Sequence, residues 1–365
     1  MQRCPVLLVL AVACNHGATG AQSDAPLFDA PALVDALGID ATDASNARDP
    51  IVAPADMWTW VDFASSKCAS GTPTGIGIDP HAGASDVVIY LEGGGACETG
   101  SSCWGPMPGA NNLAGYDATT FATAPQRNYP ILDRAVAANP FAAENFVFVP
   151  YCTGDMHGGT VERDLAVGSA TVPTYFWGAT DLDAFLERVA PTFPNATHVW
   201  LIGTSAGGFG TMLSFDRVAA AFSHAQVDII DDSGPAIVGS GATSNDAIFI
   251  DWDYVAPAGC SPCTKLSDVL AADRAAQPAS HYAFLSFAQD TVISADFGYT
   301  LDEYPAVIDA FTATFANDAN AASFIDTNEQ SHVVESDPTL AAQYLPWLQA
   351  MVDGSASWTS MTYPP

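Results

Sequence analysis

Positive charge is scarce in this sequence. Lysine and arginine together number 10, against 41 aspartate and glutamate residues, and the formal net charge is −31 at pH 7. No basic run is present, so the chain lacks the patch with which a nucleic-acid-binding protein neutralises phosphates. This surplus of negative charge repels polyanions and favours neutral or cationic partners.

Long apolar runs and internal repeats are absent as well. Beyond the N-terminus no apolar run reaches the ~18 residues that a membrane-spanning helix needs, and no unit recurs with the period of a solenoid. Hydrophobic residues nevertheless make up 49% of the 365 residues. That content suffices for one large core, or for one core with an inserted cap.

The first 21 residues are typical of a secretory signal. Arg3 precedes an apolar run at 6–13, and small residues follow that run, which is the order of a signal rather than of a membrane span. Ala11-Val12-Ala13-Cys14 resembles a bacterial lipobox, in which Cys14 becomes the lipidated N-terminus. Ordinary cleavage after Ala21 is the alternative, and either route predicts an exported protein.

The composition divides the rest of the chain in two. Residues 22–54 are rich in Ala, Asp, Ser and Pro, which predicts a tether or a loosely packed lead-in. Residues 55–365 then form the folded domain. We expect this domain to be secreted, or to be held at the bacterial cell envelope only through the lipid on Cys14.

Cysteine is sparse, but its count is informative. Six cysteines follow residue 21, and an even number in an exported protein predicts disulfides. A single Cys-x-x-Cys is too little for a four-cysteine zinc site, so we expect no metal. Spacing alone leaves the connectivity open, but it favours the pairs Cys97–Cys103, Cys260–Cys263 and, by elimination, Cys68–Cys152.

Short apolar runs alternate with helical patterns along the chain. Helical periodicity begins at Thr180, the expected N-cap, and is repeated at 207–221 and 340–352. This alternation predicts a mostly parallel sheet with helices on both faces. Residues 235–280 lack clear periodicity and are a candidate cap. The runs typical of buried strands lie at 86–91, 145–149, 198–202, 227–231 and 282–287.

A nucleophile motif follows the third of these strands. Gly203-Thr204-Ser205-Ala206-Gly207 is a Gly-x-Ser-x-Gly sequence. Between a strand and a helix, such a sequence makes a sharp turn that lifts the serine hydroxyl out of the sheet. The helix N-terminus beneath it contributes free N–H groups and a positive dipole end. The motif therefore predicts an α/β-hydrolase fold with Ser205 as the nucleophile.

A serine hydroxyl needs a base that takes its proton. In this fold the acid and then the histidine follow the serine in the chain, which leaves three histidines to choose from. His224 comes just after the nucleophile helix, and His281 begins a strand. His332 lies in a late polar loop before the last helix, so we predict His332 as the base.

The acid that orients this histidine should follow a strand located between the serine and the histidine. Asp290 comes directly after the apolar run 282–287 and is the first choice. Asp296 is the second choice. Asp231 and Asp232 end the strand after the nucleophile helix, where a few hydrolases place the acid.

A glycine-rich loop follows the first apolar run, in Leu91-Glu92-Gly93-Gly94-Gly95-Ala96-Cys97. Glycines let backbone N–H groups approach an oxyanion without obstruction by side chains. We predict the N–H groups of Gly94, Gly95 and Ala206 as the oxyanion donors. His157 precedes the serine and is expected in a loop or at the rim of the pocket.

Several of these segments together resemble one enzyme family. The segment at 91–97 is similar to the Leu-Glu-Gly-Gly-Gly-Trp-Cys of the pectin acetylesterase and Notum family, and the likeness extends over about residues 60–335. The other similar segments are Lys67-Cys68 near the opening strand, Pro150-Tyr151-Cys152-Thr153-Gly154-Asp155, and the nucleophile turn from Gly203 to Gly208.

The resemblance implies an α/β-hydrolase fold and carboxylesterase activity without a cofactor. It places a Ser-Asp-His triad on Ser205, Asp290 and His332. We therefore expect an exported serine carboxylesterase that deacetylates a polysaccharide, or cleaves a related small acyl ester, through an acyl-enzyme. The alternatives are a non-catalytic, surface-anchored binding lipoprotein and a lipase or depolymerase on the same fold.

Overall fold

The structure is a computed structural model that describes residues 48–240 and 251–364. The expected signal, Cys14 and most of the lead-in therefore lie outside the described residues. One residue of the described end of the lead-in packs into the folded domain. Ile51 is buried, and its N–H donates to Thr192 Oγ1 at 2.7 Å.

Most strands of the described chain belong to one large sheet. They are short, apolar and bounded by turns, as buried strands are. In chain order they are β1 Thr59–Phe63, β2 Thr74–Asp79, β3 Val87–Leu91, β4 Asn145–Val149, β5 Val161–Val167, β6 Ala170–Phe176, β7 His198–Thr204, β8 Gln226–Asp232, β9 Tyr282–Phe287, β10 Ala321–Asp326 and β11 Met361–Tyr363.

The large sheet has the strand order β1-β2-β4-β3-β7-β8-β9-β10-β11. β1 and β2 join it in antiparallel fashion, and all the other neighbouring pairs are parallel. β5 and β6 form a separate antiparallel hairpin. The prediction of a mostly parallel sheet of α/β-hydrolase type is confirmed.

No helix of the described residues is long and apolar enough to cross a membrane.

Helices cover both faces of the large sheet. Successive residues of β3 point to opposite faces, so Ile89 lies in one hydrophobic core and Val88 in the other. The helices are α1 Gly100–Trp104, α2 Ala118–Thr123, α3 Gly178–Thr192, α4 Ala206–Ala221, α5 Leu266–Ala276, α6 Ile293–Asp296, α7 Tyr304–Thr312 and α8 Ala341–Val352.

The start of α3 differs from the sequence-based expectation. The prediction of Thr180 as N-cap is wrong, since the helix begins at Gly178. The N–H of Gly178 donates to Asp155 Oδ2 at 2.7 Å, and that of Ala179 donates to the Gly159 carbonyl at 3.0 Å. A distant loop thus satisfies the helix N-terminus, and no local cap is needed.

The candidate cap at 235–280 contributes a helix to the main body. α5 packs against α4. Its residues Leu266, Val269 and Leu270 are buried in the same hydrophobic core as Ile89. Residues 241–250 lie outside the described chain. A cap therefore stays a prediction for the part of 235–280 that precedes α5.

Candidate active site

The sequence-predicted site residues come together at one edge of the large sheet. Carboxyl ends of parallel strands meet at the same edge, where ligands of such sheets bind. The glycine-rich loop follows β3 and Ser205 follows β7, while Asp290 follows β9 and His332 follows β10. The fold alone therefore places four separate segments beside one another.

Ser205 occupies a strained turn between β7 and α4. Its backbone has φ 55° and ψ −119°, a left-handed conformation that non-glycine residues rarely adopt. The turn fits only because its neighbours lack a side chain. A Cβ on Gly203 would lie 2.1 Å from the Gly207 carbonyl oxygen, and one on Gly207 would lie 2.0 Å from that of Leu91.

His332 and Asp290 form a direct pair. His332 Nδ1 lies 2.8 Å from Asp290 Oδ2 and 3.0 Å from Oδ1. Asp290 is fully buried, and its Oδ1 also accepts from the N–H groups of Val292 and Ile293 at 2.9 and 2.8 Å. The carboxylate thus fixes the ring with its proton on Nδ1, and Nε2 is left free to accept a proton.

The glycine-rich loop presents unpaired N–H groups. Among the described residues, no group accepts a hydrogen bond from the N–H of Gly94 or Gly95. Ala206 is the first residue of α4, so its N–H has no acceptor within the helix. These are the donors that an oxyanion site requires.

Buried side chains that no local sequence pattern indicates hold this loop in place. Glu92 accepts from the N–H of Tyr151 at 2.9 Å and from the Tyr116 hydroxyl at 3.3 Å. Burial raises the pKa of Glu92 to about 8, although both hydrogen bonds oppose the shift. The Tyr151 hydroxyl donates to the Gly95 carbonyl at 2.8 Å, so one cluster contacts the loop at both Glu92 and Gly95.

His157 belongs to the same support. It lies in a loop, as expected, but it is buried rather than at a pocket rim. Burial lowers the pKa of His157 to about 4, so the ring is neutral. Its Nε2–H donates to the Glu92 carbonyl at 2.8 Å. The glycines before and after His157 gave no signal for this contact, which depends on the tertiary fold.

The other histidines after the serine lie elsewhere. His224 is exposed just after α4. His281 lies at the opposite edge of the sheet, where Asp228 Oδ2 accepts from its Nδ1 at 2.9 Å and from His198 Nε2 at 2.8 Å. Burial opposes the ionisation of Asp228, but the hydrogen bonds from the two histidines hold its pKa well below the usual value.

Three disulfides are present, and one adjoins the glycine-rich loop. They join Cys68 to Cys152, Cys97 to Cys103 and Cys260 to Cys263. The Cys97 carbonyl accepts from Trp252 Nε1 at 3.0 Å, and its N–H donates to the Gly154 carbonyl at 2.9 Å. In the described part of the chain, no cluster of three or more His, Cys, Asp or Glu residues is suited to hold a metal ion.

The fold resembles that of a solved enzyme. The structure of the Wnt deacylase Notum from Drosophila matches with a TM-score of 0.62 and 18% sequence identity, covering 84% of this chain and 95% of that chain. At this identity the similarity concerns the fold.

Two curated proteins are similar in sequence. The palmitoleoyl-protein carboxylesterase notum2 of Xenopus laevis is 26% identical over 223 residues, which are 55% of this chain and 44% of that protein. The palmitoleoyl-protein carboxylesterase NOTUM of Homo sapiens is 28% identical over 180 residues, 47% of this chain and 34% of that protein. The chain therefore spans less than half the length of these curated relatives.

A family model described as pectinacetylesterase matches residues 56–249. This range holds the glycine-rich loop, Cys97, Cys152 and the Ser205 turn, and it covers more than half of the sequence. The chain belongs to the pectinacetylesterase family.

Proposed function

We propose that this protein is a serine carboxylesterase that works through an acyl-enzyme on Ser205. The observation that carries the proposal is the strained Ser205 turn at the same sheet edge as the His332–Asp290 pair. Strain persists in a fold only where the surrounding structure maintains it, and it concentrates at functional sites. The family membership supports an ester as the substrate.

Each proposed residue has one role in the reaction. Ser205 Oγ attacks the carbonyl carbon of the ester, and its proton passes to His332 Nε2. The carbonyl oxygen becomes an oxyanion that the N–H groups of Gly94, Gly95 and Ala206 stabilise. The ester C–O bond then breaks, and the alcohol leaves with the proton from His332.

Water completes the cycle. His332 Nε2 accepts a proton from the water as its oxygen attacks the acyl carbon, and the bond to Ser205 Oγ breaks with return of that proton. The carboxylic acid leaves. Asp290 holds the imidazole tautomer and stabilises the imidazolium in both halves of the reaction. No cofactor takes part in this scheme.

The proposed substrate is an acetylated polysaccharide of low charge, or a related small acyl ester. The net charge of −31 supports this choice, because a polyanionic chain is repelled at low ionic strength. The curated relatives are named palmitoleoyl-protein carboxylesterases, which makes cleavage of a long acyl chain the second candidate. Export is part of the proposal, and the disulfides support it.

One experiment tests the nucleophile. A fluorophosphonate should label the wild-type protein on Ser205, and Ser205→Ala should lose both the label and aryl-ester hydrolysis, by about 10³-fold or more. Circular dichroism should show the same fold in both. Hydrolysis by Ser205→Ala at the wild-type rate would contradict the proposal.

A substrate panel tests the rest. Aryl esters from acetyl to palmitoyl separate the two acyl classes, since the proposal expects kcat/KM to be highest for acetyl. Acetylated neutral polysaccharide and acetylated pectin should be compared at two salt concentrations. Only the pectin rate should rise with salt. A pectin rate that falls on adding salt would overturn the charge argument.

A further inference from the structure

Asp232, the last residue of β8, contacts both the serine turn and the histidine loop. Its main-chain carbonyl accepts from the Ser205 N–H at 2.7 Å. Its carboxylate accepts from the N–H of Val334 at 3.1 Å and from that of Glu335 at 2.7 Å. One residue therefore binds the backbone of the nucleophile and the backbone just beyond the base.

The adjacent Ser233 extends this contact. Its Oγ donates to Asp232 Oδ1 at 2.9 Å and lies 3.3 Å from the Val333 N–H, from which it accepts. Three consecutive N–H groups after His332 thus end on two neighbouring side chains. No other described segment ties the histidine loop to the serine turn through side chains in this way.

The residue held by Ser233 is strained. Val333 has φ 64° and ψ 100°, and a β-branched residue at positive φ is a real outlier. Val333 comes directly after His332, so its backbone sets where the imidazole points. The hydrogen bonds to Asp232 and Ser233 offset the cost of this conformation.

The negative charge of Asp232 also interacts with His332. Burial raises the pKa of Asp232 to about 6, while the backbone N–H donors and the nearby His332 oppose the shift. Burial and the charges of Asp232 and Asp231 raise the pKa of Glu335 well above its usual value. Glu335 is fully buried, and neither of its carboxyl oxygens has a hydrogen-bond partner among the described residues. We therefore expect it to be protonated.

We propose that Asp232 is a positioning residue that locks the His332 loop onto the Ser205 turn and places a second negative charge near the imidazole. The inference rests on the proposed function, because it takes Ser205 and His332 as nucleophile and base. Asp290 orients the ring from one side through Nδ1. Asp232 fixes the backbone that carries the ring and joins it to the nucleophile.

Asp232→Asn tests this role. Asparagine keeps the size and one acceptor oxygen, but its amide donor would face an N–H group that now finds an acceptor. Misplacement of reacting groups by fractions of an ångström lowers the rate steeply, so we expect kcat per phosphonate-titrated serine to fall about 30- to 100-fold. KM should stay within about threefold, because the substrate contacts are not touched.

The pH profile separates positioning from folding. Asp232→Asn removes a negative charge that interacts with His332, so the acid limb of the kcat profile should move to lower pH because an imidazolium is then less favoured. A purely structural role would lower the unfolding temperature and leave this profile in place. Other titratable groups that interact with Asp232 or His332 are Asp290, Asp296, Asp231, Glu335, Tyr129 and Tyr344.

Two further variants make the test decisive. Asp228→Asn is the matched control, since Asp228 is a buried aspartate on the same strand at the far edge, and its kcat should match the wild type. Ser233→Ala removes one of the three hydrogen bonds that hold the histidine loop. Because this change is milder, it provides the test if Asp232→Asn does not fold. We expect its kcat to fall about fivefold.

The outcomes are distinct. Wild-type kcat and an unmoved acid limb in both Asp232→Asn and Ser233→Ala would overturn the inference. If wild-type Ser205 took no phosphonate label, the proposed function would fail instead. Slower but complete labelling of Ser205 in Asp232→Asn, together with the lowered kcat, is the expected result.

Discussion

The two edges of the central sheet each hold an aspartate hydrogen-bonded to histidine, but in different surroundings. At the carboxyl edge Asp290 accepts from one histidine, His332, beside the strained serine turn. At the amino edge Asp228 accepts from two histidines, His198 and His281. Both aspartates are fully buried. The presence of a hydrogen-bonded His–Asp pair therefore does not by itself distinguish a reactive site from a structural one.

The difference lies in what faces each imidazole. His198 stacks on Trp200 with ring centroids 3.8 Å apart, and His281 meets the edge of Trp358 at 5.3 Å. Both rings are therefore held by packing. His332 instead lies at the sheet edge that also carries Ser205 and the glycine-rich loop. What surrounds the ring therefore decides its chemistry, and substitutions at each edge of the sheet test that conclusion.

The largest contrast should come from the two aspartates. Asp290→Asn places an amide donor against Nδ1 and forces the wrong tautomer, so we expect kcat to fall by on the order of 10³-fold with the fold intact. Aryl-ester kinetics and a thermal melt measure both quantities. Asp228→Asn should leave kcat unchanged. Equal losses of kcat in the two variants would contradict the comparison.

The amino-edge aspartate should matter for stability instead. Asp228→Asn replaces an acceptor oxygen in a buried cluster of two histidines and Gln226. We expect the free energy of unfolding to fall by about 2–3 kcal/mol at pH 6, the scale of broken buried charge-assisted bonds. Urea titration measures this change. An unchanged unfolding midpoint would show that the cluster is dispensable.

The disulfides allow a second contrast between regions. The Cys97–Cys103 bond adjoins the glycine-rich loop, so the double variant Cys97→Ser, Cys103→Ser should lower kcat about tenfold as well as the unfolding temperature. The control variant Cys260→Ser, Cys263→Ser opens a shorter loop elsewhere. Its kcat per labelled serine should be that of the wild type. Peptide mapping that finds Cys97 bonded to another cysteine would refute the assignment.

The smallest effect concerns pH at the amino edge. The hydrogen bond with Asp228 raises the pKa of His281, against the effect of burial. A histidine whose pKa is higher when folded contributes stability that is full below the unfolded value of ~6.5 and is lost as the pH rises through the folded value. The stability difference between wild type and His281→Gln should therefore shrink from pH 5.5 to pH 8.5.

This change should amount to about 1 kcal/mol, the scale of one charge-assisted hydrogen bond. Urea titrations of both proteins at the two pH values measure it. If the stability difference between wild type and His281→Gln grew with pH, it would contradict the stabilising hydrogen bond between His281 and Asp228. The pH profile of kcat should be the same in both proteins.

Local patterns in the sequence predicted much of this architecture. The strands Asn145–Val149 and Tyr282–Phe287 have the predicted bounds, because each is an apolar run closed by residues that favour turns. The β5–β6 hairpin was missed, although Val161, Leu165 and Val167 fall on alternate positions before a glycine turn. Arg163 interrupts the alternation of apolar residues in β5, so the sequence pattern does not indicate a strand there.

The residues that support the candidate site could not be predicted in the same way. Gly178 marks the start of α3 because Asp155 reaches it from another loop, and Glu92, His157 and Asp232 act through contacts between segments distant in sequence. Local spacing carries no information about such contacts. The motif residues were predictable since the fold itself sets their order along the chain.

Crowding at Gly93 limits which substitutions this enzyme family can accept beside Ser205. A Cβ there would lie 2.3 Å from the Thr204 carbonyl oxygen and 3.1 Å from Ser205 Cβ. The backbone cannot shift at that point without moving Ser205. In a library of variants, residue 93 should therefore remain glycine at every level of selection. New substrate preferences must come from positions further from the turn, such as the partly exposed Ala96. Residues around the site can therefore vary while Gly93 and the Ser205 turn stay the same.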